Sequence, residues 1–201
     1  MLSRERILRV ALGIVDREGL DAVSMRRVGE ALSVEAMSLY NHVANKGAVL
    51  DGIFEMILAE LPRETKGRGW KARLRERAHA FRRVLRAHPN AIPLFATRPA
   101  VTTVSLGYVE ALLAELAEAG LPARDSLSAM HALLAYVVGH TLATHGPRSA
   151  SETSPDYGGL DAATYPHVRA AAALLTTHDP EREFELGLDA MLGGLGLRAK
   201  T

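Results

Sequence analysis

Residues 24–46 read SMRRVGEALSVEAMSLYNHVANK, and the way this stretch divides decides the fold. Ser24 is an N-cap type of residue ahead of Met25–Leu32, where Val28, Ala31 and Leu32 fall on one helical face. Ser33 and Val34 make a turn, and a second short helix is expected over 35–43. Gly29 carries no side chain where the two helices must cross closely, and Val28, Leu32, Val34 and Leu39 can share a small core. Two short helices about a tight turn form a helix-turn-helix, whose second helix lies in the major groove of double-stranded DNA. That helix opens with Glu35, Ala36, Met37 and Ser38, short or flexible side chains that allow close approach to base edges. Ser24, Arg26, Arg27, Tyr40, Asn41 and His42 complete the expected DNA-facing set with groups for phosphate or bases. Lys46 opens the next helix, where free backbone amides also favour a phosphate.

Outward from this stretch the chain reads as helical throughout. Towards the N-terminus, Ile7, Val10, Ala11, Ile14 and Val15 recur at three- and four-residue steps over 3–18, with Ser3 as N-cap and Gly19 as stop. Towards the C-terminus, Asn45 caps a helix carrying Val49, Leu50, Ile53, Phe54, Ile57 and Leu58 as far as Leu61, where Pro62 and the glycines at 67 and 69 break it. Further helices are expected over 70–88, 90–96, 101–119, 123–145, 161–177 and 181–195, with a loop rich in Ser, Gly and Pro over 148–160. No segment alternates with period two. The expected fold is all-α: a three-helix DNA-binding domain over 1–48, and a larger helical ligand-binding and dimerisation domain over 49–201, joined by a linking helix at about 45–61.

Composition agrees with this division. Aromatic residues are 5% of the 201, so the core has to be built from Leu, Ala, Val and Met, which suits helices. No cysteine is present, so neither a disulfide framework nor a thiolate metal site is available. No N-terminal signal pattern and no uninterrupted apolar run of spanning length stands out, so no membrane is expected as a partner and the expected compartment is the cytoplasm. The net charge of +1 says little about nucleic acid, but ten Lys or Arg stand against two Glu over 63–86. Such a run is either a solvated helix face or a positive collar adding to a DNA-directed field.

The run from Ile7 to Leu50 resembles the DNA-binding domain of the tetracycline-repressor (TetR) family. Glu18-Gly19-Leu20, Ser24 through Val28, and Leu39-Tyr40-Asn41-His42-Val43-Ala44-Asn45-Lys46 carry the likeness. Phe81, Phe95 through Pro99, and Val138 through Leu142 are similar to the ligand-binding domain of the tetracycline-repressor subgroup. The resemblance implies a homodimeric transcriptional repressor, released from a palindromic operator by a small-molecule effector, with a four-helix dimer seam from 123–145 and 181–197 of each subunit. It also implies an effector pocket, for which Phe81, Leu94, Phe95, Thr97, His131, Leu134, Ala135 and Val138 are the expected walls. Three departures matter. Ser33 stands in the turn where the family usually has Gly. Leu94 stands where the tetracycline binders hold magnesium through a histidine, and Arg148 where they have a supporting acid. Neither side chain can hold a hard cation, so the expected effector is not a magnesium–tetracycline chelate but a compact apolar molecule with a few polar groups.

The remaining motifs are sparse. His131, His140 and His145 are nine and five apart on one helix and do not stack as i, i+4 ligands would, so no metal is expected. There is no Gly-x-Ser-x-Gly elbow and no phosphate-binding glycine loop, so neither a catalytic residue nor a cofactor is expected. Gly193-Gly194 reads as a place of close helix packing. The competing readings are a helical carrier of lipids or small molecules, and a helical enzyme, neither with regulatory output.

Overall fold

The computed structural model describes residues 1–147, 157–175 and 179–198. Among them are ten α-helices and no strand: α1 (Arg4–Glu18), α2 (Met25–Leu32), α3 (Ala36–Leu39), α4 (Lys46–Leu58), α5 (Trp70–Ala87), α6 (Ile92–Thr97), α7 (Thr103–Glu118), α8 (Ala123–His145), α9 (Pro166–Leu175) and α10 (Pro180–Arg198). Most of the loop expected at 148–160, Arg148 included, lies outside the described residues; its end, Tyr157–Gly159, is a 3-10 turn.

The head, α1 to α4, is locally specified. Ser3, Ser24 and Asn45 each cap a helix by accepting a backbone N–H three residues on, at 3.2, 3.1 and 2.9 Å. The inward stripe of α1 (Ile7, Ala11, Ile14, Val15) meets Val28, Leu39, Val49, Ile53 and Ile57 in one core. Ile7, Ile14, Leu39, Ile53 and Ile57 are fully buried there. This core does not stop at the head, for Val84, Ala91 and Leu94 of the following elements close it from the other side.

The second body is built on α8, which packs against α5, α6, α7 and α10. Leu74, Leu85, Leu116, Phe184, Leu188 and Leu192 fill its interior. Among the described residues α8 is the one helix long and apolar enough, by length and composition, to cross a bilayer, although its apolar run is not an uninterrupted one. Scattered Ser, His and Thr interrupt that run, and four neighbouring helices pack against α8 and bury a third of its apolar stretch.

The basic run divides in two: Arg63, Lys66, Arg68, Lys71 and Arg83 stand exposed to solvent, while the other five cations pair with acids. Arg73 pairs with Glu115 and Glu118 of α7, Arg77 with Glu115, Arg75 with Glu185 and Asp189 of α10, and Arg82 and Arg86 with Glu181. Partners as far as 114 residues away along the chain answer these five charges, which is why the local sequence overstates the positive field.

Candidate DNA interface and effector cavity

The helix-turn-helix depends on two backbone details. A Cβ on Gly29 would lie 2.9 Å from the carbonyl oxygen of Val34 and 3.2 Å from the amide nitrogen of Ala36, so only glycine lets α3 approach α2 this closely. Ser33 adopts φ 56°, ψ 42°, the left-handed conformation a glycine would take at no cost, and it is the one non-glycine residue at positive φ among those described. The turn keeps its form with serine because Val34 N–H donates to Gly29 O at 3.0 Å and Ser33 N–H to Glu30 O at 3.1 Å.

The recognition helix is shorter than the pattern implies. α3 ends at Leu39, and Tyr40 to His42 lie in hydrogen-bonded turns, with the His42 and Val43 amides both donating to Leu39 O. No helix-forming face continues past Leu39, because Val43 is drawn into the head core and Asn45 must leave the helix to cap α4. The expected DNA-facing residues separate into three groups. Met37 is 72% exposed, and Glu35, Tyr40, Asn41, His42 and Lys46 stand exposed beside it, with Ala36 and Ser38 half-buried between. Arg26 projects freely, its side chain 87% exposed and only 3.8 Å from its helical neighbour Glu30. Arg27 is not free: its Nε and Nη2 donate to Glu18 at 3.2 and 2.6 Å, bracing α2 against the end of α1. The same bond holds the Glu18 carboxyl below its usual range. Ser24 is engaged as a cap, since its hydroxyl oxygen accepts from Arg27 N–H.

Below the head lies a cavity of about 690 Å³. Five helices wall it: Phe54 and Leu58 of α4, Phe81 of α5, Phe95 of α6, Tyr108 and Leu112 of α7, and Leu134 and Val138 of α8. Phe95 joins the two ends, its ring centroid 4.9 Å from that of Phe54 and 5.3 Å from that of Phe81. Of the expected walls, Phe81, Phe95, His131, Leu134, Ala135 and Val138 line the cavity. Leu94 and Thr97 do not. Leu94 is buried in the head core, and the Thr97 hydroxyl is turned back onto Pro93 O at 2.9 Å. Neighbouring positions on α6 differ by about 100° around the axis, so Phe95 faces the cavity while Leu94 and Thr97 look elsewhere; Arg98, the extended residue that ends the helix, also lines it. The pattern of apolar residues missed the polar lining residues Arg77, Arg98, Ser105 and Tyr108. Arg98 stood in view beside Thr97 and Pro99, but only the folded chain shows that Arg98 and Pro99 line the cavity and Thr97 does not.

The histidines of α8 do not converge on a metal, and no group of three His, Asp or Glu suited to one occurs among the described residues. His140 lies between Tyr136 and Phe184, away from the cavity lining, and burial holds it below the ordinary imidazole range.

The family model for the tetracyclin repressor-like C-terminal domain matches residues 61–199. The chain belongs to the tetracycline-repressor family. It is 32% identical over 202 residues to the tetracycline repressor protein class C of Escherichia coli, covering 96% of this chain and 90% of that one. It is 34% identical over 175 residues to an HTH-type transcriptional regulator of Saccharopolyspora erythraea, covering 86% and 72%. The crystal structure of the family member ActR of Streptomyces coelicolor in complex with actinorhodin superposes over the whole of both chains, with a TM-score of 0.87 and 29% identity. As a member of this family the chain is an all-α, DNA-binding transcriptional regulator controlled by a small-molecule effector.

Proposed function

We propose that the chain is a homodimeric repressor which leaves a palindromic operator when a metal-free, ring-bearing effector fills the cavity. One observation carries this reading: Phe54 and Leu58 of α4 form part of the cavity wall, and the same helix begins at Lys46, directly after the DNA-facing turns. An occupant that alters the seat of α4 therefore alters the position of the head. Such an effector weakens operator binding by as much as its own affinity differs between the two arrangements, about 1–3 kcal/mol in typical cases. Three phenylalanines about the cavity suit a flat ring system, and the actinorhodin-bound relative supports that class. Leu94, buried in the head core, offers nothing to magnesium.

The dimer would use α8 and α10. Ala190, Gly193 and Gly194 leave one side of α10 exposed and small beside the exposed Leu186, and Ser128, Ala132, Gly139 and Ala143 leave an exposed small face on α8. A Cβ at Gly193 or Gly194 would meet nothing within the subunit, so the close packing these glycines suit belongs to a second copy. Two heads related by two-fold symmetry would reach successive major grooves roughly 34–36 Å apart. The domain division at 48/49, the cytoplasmic location and the absence of catalysis belong to this same reading; a carrier without regulatory output leaves the exposed helix-turn-helix without a role.

Selection of bound sequences from a random DNA pool tests the proposal and yields the operator. A palindrome retained by a dimer is the expected result, with Arg26→Ala, Tyr40→Ala and Lys46→Ala each lowering the salt slope of binding by about one. Recovery of no preferred sequence, or a monomer on sedimentation at micromolar concentration, overturns it. Operator release by tetracycline that requires magnesium would overturn the metal-free effector.

A further inference from the structure

The cavity is apolar except at a few points, and the charges at those points have one sign. Arg77 and Arg98 are among its lining residues, and no Asp or Glu is. The two arginines are in different states. The Nε and Nη2 of Arg77 both reach Glu115 Oε1 at 2.9 Å, so the edge of the guanidinium that pairs two-fold with a carboxylate is closed. Arg98 uses a single nitrogen: its Nη1 donates to Asp51 and, at 3.4 Å, to Gly47 O, both in the first turns of α4. Its Nε and Nη2 carry no hydrogen bond to a described residue. An open carboxylate-binding edge thus borders an apolar cavity, while the other edge of the same group holds the helix that follows the recognition turns. Asp51 is 53% exposed, so it returns to water at little cost when its partner is taken. A ligand anion moved into the cavity loses its hydration and gains most from a cation that can grip it with two bonds.

We infer that the effector is an aromatic anion, a carboxylate or an ionised phenol, that binds the open edge of Arg98, draws the guanidinium away from Asp51 and Gly47, and so loosens α4. This rests on the proposed role of the cavity as the effector site. It makes charge, rather than bulk alone, the property that separates an inducer from a mere occupant. An uncharged ring system of the same size can fill the space and leave Arg98 on α4.

Two probes that share an aromatic framework test it on the full-length dimer: 8-anilinonaphthalene-1-sulfonate, an anion, and N-phenyl-1-naphthylamine, which lacks the sulfonate. Binding is read by fluorescence, and release by displacement of the selected operator. The wild type should bind the anion about tenfold more tightly than the neutral probe, the margin expected for a charge-assisted hydrogen-bonded pair. Arg98→Gln should erase that margin and leave the neutral probe within twofold, which also shows that the variant is folded; Arg98→Lys should restore part of it. Asp51→Asn, by removing the competitor, should raise affinity for the anion only. Val138→Trp, which fills the cavity, should lose both probes. The anion should release operator at saturation, and the neutral probe should not. Equal affinity for the two probes, equal release by both, or an Arg98→Gln variant that weakens both alike overturns the inference while leaving the cavity as an effector site. Failure of both probes to bind, or their retention by Val138→Trp, overturns the inference together with the reading it rests on.

Discussion

The head and the effector body are both helical, but opposite devices hold them. In the head, each of three helices carries its own side-chain cap, and fully buried aliphatic side chains meet in a continuous core. In the body, α7 has a capping box but α5, α6 and α8 start without a side-chain cap hydrogen bond, a cavity of about 690 Å³ interrupts the packing, and arginines of α5 reach acids on α7 and α10. A reader of DNA has to keep its recognition elements in one geometry. A sensor has to leave room for a guest and to change when the guest arrives. Interiors as dense as the head's resist any loss of volume, whereas a wall that already faces space has few contacts left to lose.

Truncation should expose the difference most strongly. Leu39→Ala removes a fully buried side chain from the head and should cost about 2–5 kcal/mol. Leu134→Ala, on the half-buried cavity wall, should cost less than half of that while changing effector affinity. Urea unfolding of the two variants measures both effects, and equal losses would erase the contrast. The next largest effect is expected at the crossing of α2 and α3. Gly29→Ala puts a methyl group 2.9 Å from Val34 O and should destabilise the head by about 1–3 kcal/mol, with operator affinity falling and effector affinity retained. Operator binding unchanged in that variant would mean that the close crossing is not needed. A smaller effect of opposite sign belongs to Ser33→Gly. Relief of the left-handed serine should raise stability by about 0.5–1 kcal/mol, the part of the strain that glycine's greater unfolded freedom does not cancel. A lower melting temperature would show that the serine side chain is itself needed in the turn.

The joint between the two bodies supplies the subtlest test. His88, at the end of α5, places Nδ1 2.9 Å from Asp16 of α1 and Nε2 3.1 Å from Glu60, which follows α4. Burial disfavours the charged ring, but the hydrogen bonds and charges of Asp16 and Glu60 outweigh it and raise the pKa above the ordinary 6.5. Both ring nitrogens can donate only in the imidazolium form. Because the folded value is the higher one, this clasp contributes fully below pH 6.5 and is lost as pH rises through the raised value. Stability measured across that window should fall with pH in the wild type by more than in His88→Ala. Parallel profiles would remove His88 from the joint.

The head was open to inspection in the sequence because its determinants are local. Caps act three residues away, stripes repeat every three to four, and Gly29 answers to Val34 and Ala36 nearby, so Ser3, Ser24, Asn45 and the crossing glycine announce themselves. Even there, the recognition helix stops four residues early, since the pull of Val43 into the core is a tertiary demand. The helices of the body were also legible as periods and breaks, and six of the eight expected wall residues line the cavity, although most of its wall was not named. Which face of α6 turns inward was not legible, and Leu94 and Thr97 exchanged places with Arg98 in consequence. Nor could the chain itself show that Arg73, Arg75, Arg77, Arg82 and Arg86 are neutralised, or that one edge of Arg98 is left open. Those outcomes depend on groups brought together from up to 114 residues apart, and their charges are set by where packing places the partners. The sequence by itself determined a helical protein with a DNA-reading head; tertiary packing decided where it is solid, where it is hollow, and which charge faces the hollow.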